Sequence, residues 1–171
     1  MGVDVPVRQR RDTIEINATR VEDAFRQLED FLQRMTGVTE NLQFGPDHWQ
    51  ATVNILEQLH EQYFAQQADP QGRPWPELSP VTIAQKGHSR ILVDTSDLMN
   101  SLTNSSAQYA VRQATGDSYT FGTSRPFAGV HQSGAGRIPQ RKHTGISDEN
   151  LRHVENVIAD TVVELMFEIM A

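Results

Sequence analysis

Apolar positions in this chain change period early. Thr13-Ile14-Glu15-Ile16-Asn17 alternates polar and apolar residues, which predicts a short strand. From Ala18 onward Val21, Ala24, Phe25, Leu28, Phe31, Leu32 and Met35 recur at three- and four-residue steps, one apolar stripe on a helix that Gly37 is expected to stop. A second helix is expected to begin near Asp47, where Asp47 and Gln50 stand at capping-box spacing. Its stripe is Trp49, Val53, Leu56, Leu59, Tyr63 and Phe64. The short connection between the two helices allows them to pack as a hairpin.

The pattern then breaks. Asp69 to Pro80 concentrates proline around Trp75, and proline's fixed φ and missing N–H predict an ordered irregular loop. Ser79-Pro80 supplies an N-cap and a first-turn proline for a short helix reaching about Lys86. After a polar break at Gly87 to Arg90, Ile91-Leu92-Val93 leads into Asp94-Thr95-Ser96-Asp97-Leu98. There hydroxyls and carboxylates are expected to cap another short helix ending near Leu102. Tyr109 to Thr115 and Ser118 to Gly122 read as strands joined by a two-residue turn at Gly116-Asp117. Ser124-Arg125-Pro126 opens a helical turn through Val130, broken by Gly134 to Gly136, and Ile138 to Arg141 reads as extended. Ser147 caps a final helix, with Asp148 and Glu149 at the positive end of its dipole. Its face is Leu151, Val154, Ile158, Val162, Leu165 and Ile169. Phe167, near Met166 and Met170, falls off that stripe and either covers a second, interface face or packs under a loop.

The sum is an α+β fold, with long amphipathic helices packed on a small, mostly antiparallel sheet and extended loops or arms. We expect one domain over 1–171: an N-terminal arm (1–11), a strand and helical hairpin (12–66), a loop-rich β region (67–146) and a C-terminal helix (147–171).

Composition narrows the chemistry. At 37% hydrophobic and 22% charged residues, the chain of 171 residues can bury a core and is not expected to be disordered as a whole. The net charge of −7 argues against broad attraction to nucleic acid. With no cysteine, disulfides and thiol chemistry are excluded and a reducing cytoplasm fits. No apolar run approaches the ~20 residues of a membrane span, and Met1 to Arg11 does not read as a secretory signal. His131 and His143, or Asp94 and Asp97, could be imagined as metal ligands, but capping alone explains the aspartates, and no metal is expected. A nucleophile elbow, a dinucleotide loop and a phosphate loop are all missing, so neither a catalytic residue nor a cofactor is expected. Arg137, Arg141, Lys142 and His143 form the densest basic stretch, and we read it as a protein contact in preference to a nucleic-acid one.

Four segments resemble the phage virion morphogenesis and tail completion family of Mu-like and related contractile-tailed phages. Asp69-Pro70-Gln71-Gly72-Arg73-Pro74-Trp75-Pro76-Glu77-Leu78-Ser79 with Thr82 and Lys86 is similar to its PDG-x-x-W-x-x-L-S-x-x-T stretch. Ile91-Leu92-Val93-Asp94-Thr95-Ser96-Asp97-Leu98 with Ser101-Leu102 is similar to I-L-x-D-T-G-x-L-x-x-S, with Ser96 where the family has glycine. Phe121-Gly122-Thr123, Pro126-Phe127-Ala128 and His131-Gln132-Ser133-Gly134 resemble a G-T-x-x-P-Y-A-x-x-H-Q-x-G run. Ile138-Pro139-Gln140-Arg141 matches I-P-x-R, although Lys142-His143 stands where the family has Pro-Phe.

The resemblance implies a non-enzymatic structural subunit that forms a ring, a hexamer by tail symmetry, at the head-proximal end of the tail. Its partners would be further copies of itself, the head–tail connector, and tail tube, sheath or terminator proteins. DNA would only pass through the lumen, where an acidic subunit suits passage, and no membrane would be involved. Such a protein would be made in the host cytoplasm and end in the neck or tail of the virion. Met1 to Arg11, Asp69 to Pro80 and Gly134 to Ile146 are expected to be loose arms that order on assembly, with Val5, Trp75 and Ile138 as anchors. The candidate interface residues are Trp75, Asp94, Thr95, Phe127, His131, Ile138 and Arg141. Two rivals belong to other classes: an assembly factor absent from the finished particle, and a small nuclease or hydrolase using His131 or Asp94.

Overall fold

The computed structural model describes residues 26–30, 33, 34, 36, 37, 44–115 and 118–170. The chain divides into two compact units, Met1–Asn41 and Leu42–Ala171. In the first unit the described residues are helical, and Arg34 Nε donates to the Asp30 carbonyl at 3.3 Å. Gly37, expected to stop this helix, is itself helical. Leu28 is half exposed. The expected strand at Thr13–Asn17, the arm at Met1–Arg11 and the rest of the stripe (Val21, Ala24, Phe25, Phe31, Leu32, Met35) lie outside the described residues, and with them the expected helical hairpin.

The second unit opens with a 3-10 turn, Pro46–Trp49, that runs into helix α1, Gln50–Gln66. The start differs from the Asp47–Gln50 capping box. Gly45 is the N-cap, and its N–H donates to His48 Nδ1 at 2.8 Å, while Gln50 Nε2 turns outward to Asn54 Oδ1 at 2.8 Å. Thr52 and His60 join the buried face of α1 beside Trp49, Val53, Leu59, Tyr63 and Phe64. Gln67 ends α1 in the left-handed region, at φ 53°.

Helix α2, Pro80–Lys86, follows its sequence signals. Ser79 Oγ accepts the Thr82 N–H at 3.2 Å, and Gly87 closes the helix at φ 75°. Helix α3, Asp97–Thr103, lies near its expected place but is not capped as expected. Its N-cap is Ser96, at φ 66°, which makes no side-chain cap bond. Strands β1, Ala110–Ala114, and β2, Tyr119–Thr123, pair antiparallel from Ala110↔Thr123 to Ala114↔Tyr119. Residues 116 and 117, where the turn was expected, lie outside the described residues. Helix α4, Ala128–Ser133, begins later than the expected turn at Ser124 because Phe127 takes the N-cap place, at φ 69°. Helix α5, Asp148–Met170, starts behind Ser147, whose Oγ accepts the Asn150 N–H at 3.2 Å.

The fold is α+β: α1 packs on α3 and α5, and α3 packs on both strands. The core gathers Leu59, Tyr63 and Phe64 of α1, Trp75, Ile91 and Val93 of the loops, and Leu102 of α3. Burying one such side chain contributes about 1.5–3 kcal/mol. The sheet is tied to α1 by Arg112, whose guanidinium lies 3.7 Å from the centre of the Phe121 ring and pairs with Glu57 at 3.1 Å.

Candidate functional site

The Asp69–Pro80 segment is tied down by bonds within its own chain. Asp69 Oδ1 accepts the N–H groups of Gln71 and Arg73, both at 2.9 Å, and its Oδ2 pairs with Arg73 Nε at 2.9 Å. Gly72, at φ 76°, makes the turn. These bonds aim Trp75 inward, where it is only 4% exposed and meets Phe64 edge-on at 5.4 Å. Its Nε1 donates to the Lys142 carbonyl at 2.8 Å. Trp75 is therefore part of this chain's own core, which corrects its reading as an arm's anchor.

Arg141 fastens the same loop from the other side. Its Nε donates to the Pro76 carbonyl at 2.8 Å and its Nη2 to the Glu77 carbonyl at 2.9 Å. It is 6% exposed, and burial lowers its pKa from the ordinary value. Among the described residues no carboxylate pairs with it. Arg141, in the Arg137–His143 stretch, thus holds two carbonyls of its own chain.

The 134–146 segment is held by α4. The Gln132 side chain accepts the N–H groups of His143 (2.9 Å) and Thr144 (3.1 Å) and donates to the Thr144 carbonyl at 2.7 Å. The Arg141 N–H donates to the His131 carbonyl at 2.8 Å. Gly134, at φ 73°, lets this happen: a Cβ there would lie 3.0 Å from the Gln140 nitrogen. His143 is 1% exposed, its ring Nδ1 lies 3.1 Å from the Arg141 carbonyl, and burial lowers its pKa. It occupies as a core residue the place where the family pattern has phenylalanine, so the departure noted in the sequence leaves the segment packed. Residues 135–140 are exposed, Ile138 among them at 40%, beside the tight turn that joins Ala135 to Ile138.

Two more bonds join the remaining segments. The Ser101 hydroxyl, fully buried, meets the Thr123 hydroxyl at 2.7 Å, and Arg125 pairs with Asp97 at 3.2 Å. Asp97 therefore balances Arg125; the capping role expected of it is not found.

These ties bring all four sequence segments around one open cleft of about 500 Å³. Leu78, Thr82 and Lys86 come from the first, Leu92 and Asp94 to Leu98 from the second, Pro126-Phe127-Ala128 and His131 from the third, and Arg141 from the fourth. Five of the seven candidate residues, Asp94, Thr95, Phe127, His131 and Arg141, line it; Trp75 and Ile138 do not. Lys86 donates to the Arg90 carbonyl at 2.7 Å, and burial lowers its pKa while Asp94 opposes that shift. His131 is held below the ordinary histidine value by burial, then by Arg141 and Lys86, and its Nδ1 is buried with no hydrogen-bond partner. Phe127 projects at the rim, 76% exposed in a backbone region that suits glycine.

Sequence reasoning missed two residues here. Gln132 was quoted only as part of a motif, and His60 was left off the α1 stripe, whereas Gly134, read as a helix breaker, is the C-cap of α4. Helical spacing could have found His60, four residues after Leu56 and four before Phe64. It is buried against Phe121 (4.9 Å) and Tyr63 (5.3 Å), and desolvation lowers its pKa to about 4. Among the described residues no group of three or more His, Asp or Glu is placed to hold a metal ion. No helix among them is long and apolar enough to cross a membrane.

No curated protein and no solved structure matches the chain. The model of one protein family does, over residues 18–163, a span that contains all four segments and the cleft they build. The chain belongs to the phage virion morphogenesis family.

Proposed function

We propose that this protein is a structural subunit that forms a ring at the head-proximal end of a phage tail, joining the tail to the head connector and letting DNA pass. The observation that carries the reading is the cleft: the segments that mark the family converge on one surface whose rim is an exposed aromatic in a strained conformation. Backbone strain of this kind, about 1–3 kcal/mol per residue, persists where the surroundings or a partner over-determine it. The other motif residues have structural work that explains them, since Gly134, Gln132 and Arg141 hold the loops that shape the cleft. Such a protein acts by fitting against neighbours and performs no chemistry.

A ring needs a heterologous interface, in which one face meets a different face of the next copy until rotation closes the circle. The axial neighbours would be the connector on the head side and tube, sheath or terminator proteins on the tail side. A chain of net charge −7 suits a lumen that does not hold DNA phosphates. The test is cryo-electron microscopy with mass spectrometry of purified particles. The expected result is a hexameric ring of this chain between head and tail. Finished particles that lack the polypeptide would overturn the proposal and leave an assembly factor in its place.

A further inference from the structure

The cleft has an apolar lining, from Leu78, Leu92, Leu98 and Ala128, with cations set into it. Among the described residues Arg141 is buried without a carboxylate, and Lys86 is half-buried with the exposed Asp94 to offset it. Arg125 is already paired with Asp97. At the mouth stands the exposed Phe127, and on α2 Val81, next in sequence to the lining Thr82, is 66% exposed. Such a surface fits a ligand that is both apolar and acidic.

That chemistry is present elsewhere on the same chain. On α5 the residues Asp160, Val163, Glu164, Phe167 and Glu168 are all exposed. They fall at three- and four-residue steps, so they share one helix face. The face opposes the buried Val154 and Leu165, and it is the second face that Phe167 hinted at in the sequence. Phe167 is 65% and Val163 50% exposed, flanked by three carboxylates. Neither α5 nor its flanks line the cleft.

We propose that the acidic, apolar stripe of α5 on one copy of this protein docks in the cleft of the next copy. Phe167 enters the apolar lining beside Phe127, while Glu164 and Glu168 face Lys86 and Arg141. This is the helix-in-groove mode, read by anchors one helical turn apart. Because the cleft and the stripe are different surfaces of one chain, the contact is head to tail, as a closed ring requires. Carboxylates on one side and cations on the other set the register and exclude cleft-to-cleft pairing. The proposal rests on the ring reading above and names the two surfaces that make it.

The chain contains no cysteine, so cysteine cross-linking in the full-length protein reports only what is introduced. Val81→Cys and Phe167→Cys are made separately and together; both positions are exposed, so folding is spared. Under mild oxidation each single variant alone should give little disulfide-linked dimer, and an equal mixture of the two should give several-fold more. The double variant should give a ladder of linked species. Dimers formed as readily by either single variant alone would show a symmetric contact and overturn the proposal. If the parent protein sediments as an assembly, or is present in particles, and the 81–167 link does not form there, the pairing is wrong while the ring stands. If the parent neither assembles nor occurs in particles, the ring reading itself fails, and the pairing with it.

Discussion

At the back of the cleft Arg141 is 6% exposed and bonded to two carbonyls, while at its mouth Phe127 is 76% exposed and held at φ 69°. Both residues come from segments that carry the family resemblance, so pattern alone does not separate them. Burial and bonding do. The back wall is a scaffold held by bonds within the chain: Gln132 clamps residues 143 and 144, and Gly134 admits the Gln140 backbone. The rim is left exposed and strained. A motif of this family thus mixes residues that make the shape with residues that use it.

The largest effects should come from the back wall. Arg141→Met strands the Pro76 and Glu77 carbonyls and removes two charge-assisted bonds, each worth about 1.5–3 kcal/mol. We expect a loss of about 3 kcal/mol, or roughly 6–12 °C in Tm for a chain of this length. Gly134→Ala should cost about as much, since a Cβ there meets backbone at 3.0 Å in a conformation that excludes alanine. Thermal unfolding followed by circular dichroism checks both. A loss under 1 kcal/mol at either position would remove the distinction between wall and rim.

Acid should act next, through the histidines whose pKa burial lowers. His60 has a pKa near 4 when folded, against 6.5 in the unfolded chain, and burial holds His143 below 6.5 as well. The folded protein then binds fewer protons than the unfolded chain between these values, so stability rises with pH in that window. The contribution is complete above about pH 6.5 and is lost as pH falls toward 4, by about 3 kcal/mol from His60 alone. His143→Phe, which restores the family's residue, should flatten this acid limb in urea titrations at pH 7, 6, 5 and 4. An unchanged slope would mean that His143 does not stay neutral in the fold.

The sequence was most informative where local signals decide the outcome. The Ser79-Pro80 start and the Gly87 stop of α2, the two paired strands and the Ser147 cap could all be read from neighbouring residues. It was least informative where distant residues decide. Nothing near Trp75 announces the Lys142 carbonyl that takes its N–H, 67 positions away. Nothing near Arg141 announces that the guanidinium bonds the Pro76 and Glu77 carbonyls, 65 and 64 positions away. The proline-rich loop read as ordered in itself yet loose before assembly, because the bonds from Asp69 and Arg141 that tie it to its own chain are not visible in the local pattern. Five of the candidate residues meet in one cleft because each was chosen from a motif, and the motifs converge in space.

The smallest effects should have the opposite sign, and they belong to the rim. Ser96, at φ 66°, stands where the family pattern has glycine, and the left-handed backbone is the physical reason for that glycine. An L-residue there costs about 1–2 kcal/mol, and glycine returns part of this through the greater freedom of the unfolded chain. Ser96→Gly should therefore stabilise the protein by about 0.5–1 kcal/mol, a rise of a few degrees in Tm. Phe127→Gly should stabilise it similarly, since the ring is exposed and buries little when folded. The two variants must then part company. Ser96→Gly removes only a hydroxymethyl group from the cleft and leaves Phe127 in place, so sedimentation should find its self-association unchanged. Phe127→Gly removes the aromatic at the mouth and should weaken association while raising Tm. Strain at Phe127 would then be the cost of presenting a ring to a neighbour. If Phe127→Gly raises Tm and associates as the parent does, the strain serves no interface and the mouth of the cleft is not where copies meet.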